Sequence, residues 1–270
     1  MGICLDFDSL KEPQFNEDNA QIITQSPLKK ITLRDFPAGR LGEILPEESP
    51  QTPLFQHLTH VTLEAYEVAD EDILWLVHLP YLQKLTYLKL DTRLGSIGAW
   101  LIAKDPTFKN LTQLHFCEGG YGKKVVLQLI SESAFLQNLT HLTLAATRAY
   151  AREDEDEIDD EVAEEIAQST KFGKLEVLDL NLNHIKDVGL EHIASSKNFP
   201  NLMTLNVSWN EFGDAGVLAF SKHPDFFPNL KKIIFNESDE PIIKNKEIYE
   251  AVRKAFQPRQ LEIIDSTLPD

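Results

Sequence analysis

The sequence predicts an α/β solenoid, with short parallel strands along a concave wall and helices along the convex one. Two observations carry that expectation. A phrase Leu-x-x-Leu-x-Leu, with conservative swaps, recurs nine times, beginning at Leu28, Leu58, Leu85, Leu111, Leu139, Leu175, Leu202, Leu230 and, in degenerate form, Leu261. Between copies the apolar spacing changes from the period of a strand to that of a helix. Successive copies start 30, 27, 26, 28, 36, 27, 28 and 31 residues apart. A strand and helix of that size cannot bury an apolar face alone, so neighbouring units must stack on one continuous core.

Residues 1–27 precede the first copy and read as an N-terminal cap or arm over the open end of a repeat domain that spans 28–270. The stretch from Pro37 to Pro53 is rich in Pro, Gly and Glu, which predicts a loop where the first outer helix should stand. Helical spacing follows at Ile73–Val77, Val125–Ile130, Asp187–Ala194 and Ala215–Phe220. Residues 244–257 predict a last amphipathic helix, and the Leu261 phrase a closing strand.

The 36-residue interval holds an acidic insertion, 150–168, that runs Arg152-Glu153-Asp154-Glu155-Asp156-Glu157-Ile158-Asp159-Asp160-Glu161. A calcium loop counted from Asp154 would put Ile158 at a ligand position and Asp159 where glycine is required, so no metal site is expected. Carboxylates at a helix start are favoured by its dipole without any ligand. A patch of this kind also suits docking of a basic partner.

With 43 acidic and 26 basic residues the formal net charge is -17, which disfavours nucleic acid and favours a protein partner with a basic surface. Two cysteines, Cys4 and Cys117, are too few for a disulfide framework. Neither a basic, apolar leader nor a run long enough to span a membrane is visible. A soluble, cytoplasmic, monomeric protein without cofactors is the expectation.

In each strand the third, fifth and seventh positions point away from the core. Those columns supply His60, Glu64, Tyr87, Asp91, His115, Cys117, His141, Asp179 and Asn181, with Trp209 just beyond, as candidate protein-binding residues on the concave wall. Tyr87 and Trp209 rank first, because aromatic anchors supply much of the energy of protein recognition. His115, Cys117 and His141 fall on adjacent strands, where a Cys–His pair or metal site is conceivable. No third group stands in the next column to orient an imidazole, so neither a catalytic nor a metal site is expected.

The chain resembles the leucine-rich-repeat family, and within it the ribonuclease-inhibitor-like class with helical repeats. The stretches 175–194 and 202–221 reproduce its pattern of strand, Asn turn, Gly and helix. The resemblance implies that the Asn183 and Asn210 side chains satisfy strand-end backbone groups, while Tyr66, Arg93, Gly119, Thr147 and Ser238 interrupt a regular Asn ladder. It further implies a horseshoe fold and a non-enzymatic binding function. Compact and acidic, the chain is similar to inhibitor-type repeat proteins and to effectors that intracellular bacterial pathogens deliver into host cells. The alternative it implies is a GTPase-activating protein, with Arg93 or Arg148 as the rim arginine.

Overall fold

The computed structural model describes residues 2–6, 28–45, 55–94, 96–117, 122–133, 135–145, 158–236 and 242–265. Among the described residues, ten strands form one sheet in chain order: β1 (Gly2–Asp6), β2 (Lys30–Arg34), β3 (His60–Val68), β4 (Tyr87–Leu94), β5 (Gln113–Cys117), β6 (His141–Leu144), β7 (Val177–Asp179), β8 (Thr204–Asn206), β9 (Lys232–Asn236) and β10 (Glu262–Asp265). Every neighbouring pair is parallel. Their order and direction are those the leucine phrases predict.

Register follows from the motif. The third positions Lys30, His60, Tyr87, Gln113, His141, Val177, Thr204 and Lys232 stand opposite one another across successive strands. Between them the motif leucines point inward; Leu63, Leu88, Leu90, Leu178 and Leu205 are fully buried. Burying each such side chain contributes about 1.5–3 kcal/mol.

Three features depart from the sequence expectation. The sheet begins before the first leucine phrase, because Gly2–Asp6 pairs with β2. Within the loop predicted from Pro37 to Pro53, Leu41–Ile44 forms a short helix, α1, whose Leu41 and Ile44 are buried; positions 46–53 lie outside the described residues. Its start is held by the buried Asp72 carboxylate, which accepts hydrogen bonds from Gly39 N at 2.8 Å and Leu41 N at 2.9 Å. The last phrase is out of phase by one residue: Glu262, not Ile263, stands opposite Lys232. Leu261, Ile263 and Ile264 are apolar in either phase, and the bond from Glu262 N to Lys231 O fixes the choice.

The outer layer comprises α1, then α2 (Asp70–His78), α3 (Ser96–Lys104), α4 (Gly122–Glu132), α5 (Asp160–Gln168), α6 (Asp187–Ala194), α7 (Asp214–Ala219) and α8 (Lys246–Ala255). Helix α8 and β10 occupy the places predicted for the closing elements. Packed helices stand roughly 8–10 Å apart and strands about 4.8 Å. That mismatch puts the sheet on the concave side. Phe108, Phe172, Phe199 and Phe227, the aromatics that precede the leucine phrases, are wholly buried beneath the returning turns.

Polar side chains tie each unit to its neighbour. The Thr59, Thr86, Thr112 and Thr140 hydroxyls donate to Lys29 O, Thr59 O, Thr86 O and Thr112 O at 3.1–3.3 Å, a ladder along one edge of the sheet. Asn110, Asn138, Asn201 and Asn229 donate to Gln83 O, Lys109 O, Gly173 O and Pro200 O at 2.6–3.2 Å. On the helical side, Asp70 Oδ1 accepts from Gly98 N at 2.6 Å, Asp160 Oδ1 from Gly189 N at 2.9 Å, and Asp187 Oδ1 from Gly213 N and Gly216 N at 2.8 Å. Gly189 permits this approach: a Cβ there would lie 2.4 Å from Asp160 Oδ1 and 2.9 Å from Asp160 Cα.

Candidate functional site

The expected Asn positions behave as the motif requires. Asn183 Nδ2 donates to Leu144 O, Leu180 O and Asn181 O at 2.8–3.1 Å, and its Oδ1 accepts from Ile158 N at 3.1 Å. Asn210 repeats the set one unit on, with Leu180 O, Val207 O, Ser208 O and Ile185 N. Tyr66 and Arg93 replace Asn because β3 and β4 run on, pairing Glu67 with Arg93 and Val68 with Leu94. The sheet ladder there takes the backbone groups that Asn satisfies elsewhere. Gly119, Thr147 and Ser238 lie outside the described residues.

The outward columns of β3–β6 gather into a site. Tyr87 lies between two imidazoles, with ring centroids 5.2 Å from His60 and 4.9 Å from His115. Beside this stack runs a chain of ion pairs: Arg34 Nε to Glu64 at 2.5 Å, Lys89 Nζ to Glu64 at 3.6 Å, and Lys89 Nζ to Asp91 at 2.9 Å. Cys117 stands directly opposite Asp91 in the register. Arg34 and Lys89 were absent from the expected site, yet both fall in the outward columns. The signal was their position beside Glu64 and Asp91.

Partial burial shapes the chemistry. Burial, then the nearby Lys30 charge, lowers the His60 pKa, and burial with His141 and Lys89 brings His115 down to about 4. Tyr87 moves upward because burial disfavours its phenolate. Burial works against the Lys89 ammonium too, but Asp91, Cys117 and Glu64 outweigh it and raise its pKa. Among the described residues, two buried side-chain atoms have no hydrogen-bond partner, Asp91 Oδ1 and His115 Nε2, both on this wall.

The remaining candidates are dispersed or engaged. Asp179 Oδ1 accepts from Asn181 N and Nδ2 at 3.1 and 2.7 Å, so this pair caps its own turn. Trp209 follows β8 in a left-handed turn, φ 58°, as Leu182 does one unit earlier at 57°. It is half-buried rather than free on a strand. Ser208 and Asn236, outward by count, are buried, as are Ala145 and Ile234. Arg93 sits inside β4, not on a rim loop; Arg148 and the calcium-loop positions 154–157 lie outside the described residues. The insertion's described part, from Ile158, begins α5, where the Asp159 side chain accepts from Glu161 N and Val162 N at 3.0 and 3.1 Å.

On the wall of β2–β9 the outward columns hold Lys30, Arg34, Lys89 and Lys232 against Glu64, Asp91 and Asp179. The chain's charge of -17 therefore resides elsewhere.

Residues 174–194 and 200–221 match the family model described as Leucine Rich repeat. They cover β7–α6 and β8–α7, the two units with the complete Asn turn and glycine staple. The fold is a leucine-rich-repeat solenoid. A crystal structure of a protein from Bacteroides fragilis superposes with a TM-score of 0.55 at 17% identity, covering 93% of this chain and 78% of that one. The Rad7 and Elc1 complex of yeast superposes at 0.34 with 13% identity, covering 89% and 81%, too loosely to bear on fold or function. No curated protein matches the chain. No described helix of the solenoid is long and apolar enough to cross a membrane.

Proposed function

We propose that this solenoid is a non-enzymatic binding module that grips a folded protein with its concave wall and the adjoining rim, thereby blocking or positioning it. The observation that carries this reading is the half-exposed His60–Tyr87–His115 stack on the open face of the sheet. Rings ordered by mutual packing lose little conformational entropy on contact and bring large apolar area, the properties of an interface anchor. Glu64, Asp91, Cys117 and His141 border that anchor; Asp179, Asn181 and Trp209 extend the contact toward the C-terminal units. In this role the protein acts within a cytoplasm, its own or that of a host cell into which it is delivered.

The test is affinity capture followed by direct titration of the partner against wild type, Tyr87→Ala and a convex-side control, Leu74→Ala. The expected result is a loss on the order of 30-fold for Tyr87→Ala, the scale of an aromatic hot spot. Equal affinity of the wild type and Tyr87→Ala would remove the concave wall as the binding surface.

A further inference from the structure

The wall's hydrogen-bonding groups are unequally satisfied, and the imbalance describes the partner. Over β3–β6 the outward cation, Lys89, is held by carboxylates, and so is Arg34 beside it on β2. What remains open is on the histidines. His60 Nδ1 lies 2.8 Å from Thr59 Oγ1, and His141 Nδ1 lies 2.9 Å from Thr140 Oγ1. Both hydroxyls belong to the threonine ladder, where each donates its single proton to the preceding unit's carbonyl. Thr86 and Thr112 make the same carbonyl bond where Tyr87 and Gln113, not histidine, come next. With the hydroxyl proton on the ladder bond, an uncharged imidazole beside it carries its own proton on Nδ1 and donates to Oγ1. Nε2 of His60 and of His141 is then a bare acceptor. The unpartnered Asp91 Oδ1, also an acceptor, lies on β4 four residues beyond that row, opposite Glu64 and Cys117.

We propose that the wall over β3–β6 is a hydrogen-bond acceptor row, with His60 and His141 locked as Nδ1–H tautomers by the threonine ladder, and that it takes an extended, arginine-bearing segment of a partner protein. Arginine offers five N–H donors and no acceptor, and its planar guanidinium stacks on aromatic rings such as Tyr87. The net charge of -17 draws cationic segments toward the molecule, while the near-neutral wall leaves selection to donor geometry. From β3 to β6 the row spans three strand spacings, roughly 14 Å, the reach of about four extended residues. Arginines at alternate positions of a crossing segment therefore reach both histidines. The inference rests on the binding role proposed above and adds the chemistry of the partner.

Two measurements test it. In nitrogen-15 NMR of the full chain, His60 and His141 are expected as Nδ1–H tautomers near neutral pH; Nε2–H tautomers at both would overturn the proposal. The second is titration of a capped Gly/Ser peptide with arginines at alternate positions, beside matched glutamine and glutamate peptides. Wild type is expected to prefer the arginine peptide, and His60→Phe with His141→Phe, which keeps the rings but removes both acceptors, to weaken it on the order of tenfold. Binding unchanged in that variant but lost in Glu161→Gln with Glu164→Gln on α5 would place the contact on the convex acid face and overturn the acceptor row. Should the Phe variant not fold, the single variants and the NMR measurement decide alone. A natural partner lost with Tyr87→Ala that presents no arginine to the wall would refute this inference and leave the binding role standing.

Discussion

Replacing Asn183 by alanine tests the solenoid at its best-tied point. The side chain is buried, with 3% exposure, and makes four backbone hydrogen bonds. Not all are lost in the same way. Leu180 O keeps Asn210 Nδ2 as a second donor at 2.8 Å, and Asn181 is half-exposed so that water can replace its bond. The amide of Ile158 and the carbonyl of Leu144, in residues buried to 0%, are left without a side-chain partner. At about 1–3 kcal/mol for each orphaned buried group, the loss is roughly 4 kcal/mol. Asn210→Ala breaks the same set at a half-exposed residue, and water recovers part of it; about 2 kcal/mol is expected. Equilibrium urea unfolding, followed by circular dichroism and by tryptophan fluorescence, measures both. Coincident transitions license the comparison. If Asn183→Ala costs under about 1 kcal/mol, or no more than Asn210→Ala, the orphaned-group reasoning is wrong.

Gly189→Ala should cost about 2–3 kcal/mol, because the new Cβ collides with the Asp160 backbone as well as its carboxylate. Gly213→Ala is the control: nothing lies within 4 Å of its Cβ, so a change within about 0.5 kcal/mol is expected. The same unfolding assay reads both, and equal losses would reject the steric account. His115 has a folded pKa of about 4 against an ordinary 6.5. The unfolded chain therefore binds the proton first, and stability falls as pH drops from 6.5 toward 4. The full shift corresponds to about 3 kcal/mol, reduced to roughly 1.5 by the solvent that reaches the ring. His115→Phe should flatten the thermal midpoint between pH 7 and pH 4.5; an unaltered pH slope in that variant would contradict the assignment.

Much of this was legible in the sequence because one periodicity encodes both core and register. The leucine phrases fix which residues face inward, so the outward columns containing Tyr87, His60 and Lys89 followed directly. The phase of the last strand did not, since Leu261, Ile263 and Ile264 satisfy the core equally in two registers. Ring stacking and ion pairing across the wall depend on rotamers, which periodicity does not determine; Tyr87 was visible as an outward aromatic but not as one held between imidazoles. Nor were the buried Ser208 and Asn236 foreseeable, because small side chains in an outward column disappear beneath larger neighbours. The recurrent Leu-Thr was in plain view, and its meaning emerged only when each hydroxyl met the carbonyl one unit back.

The aspartate bonds between successive helix starts act as latches, and their distribution divides the molecule. Helices α2 and α3 are joined by Asp70, α5 and α6 by Asp160, α6 and α7 by Asp187, and Asp214 reaches Lys244 N ahead of α8 at 3.0 Å. On either side of α4 the described links are of another kind: Lys104 with Glu132 toward α3, and toward α5 Lys123 with Asp159 and Glu161 at the surface, while Lys171 Nζ donates to Ile130 O and Ser131 O. Exposed ion pairs of that kind contribute only about 0–1 kcal/mol, less than charge-assisted bonds to backbone amides. In a structure whose cooperativity is the sum of nearest-neighbour couplings, the weakest junction sets where it parts. The latched run α5–α8 is thus set off from α4, and amide exchange should begin around α4, leaving the latched C-terminal run protected longest.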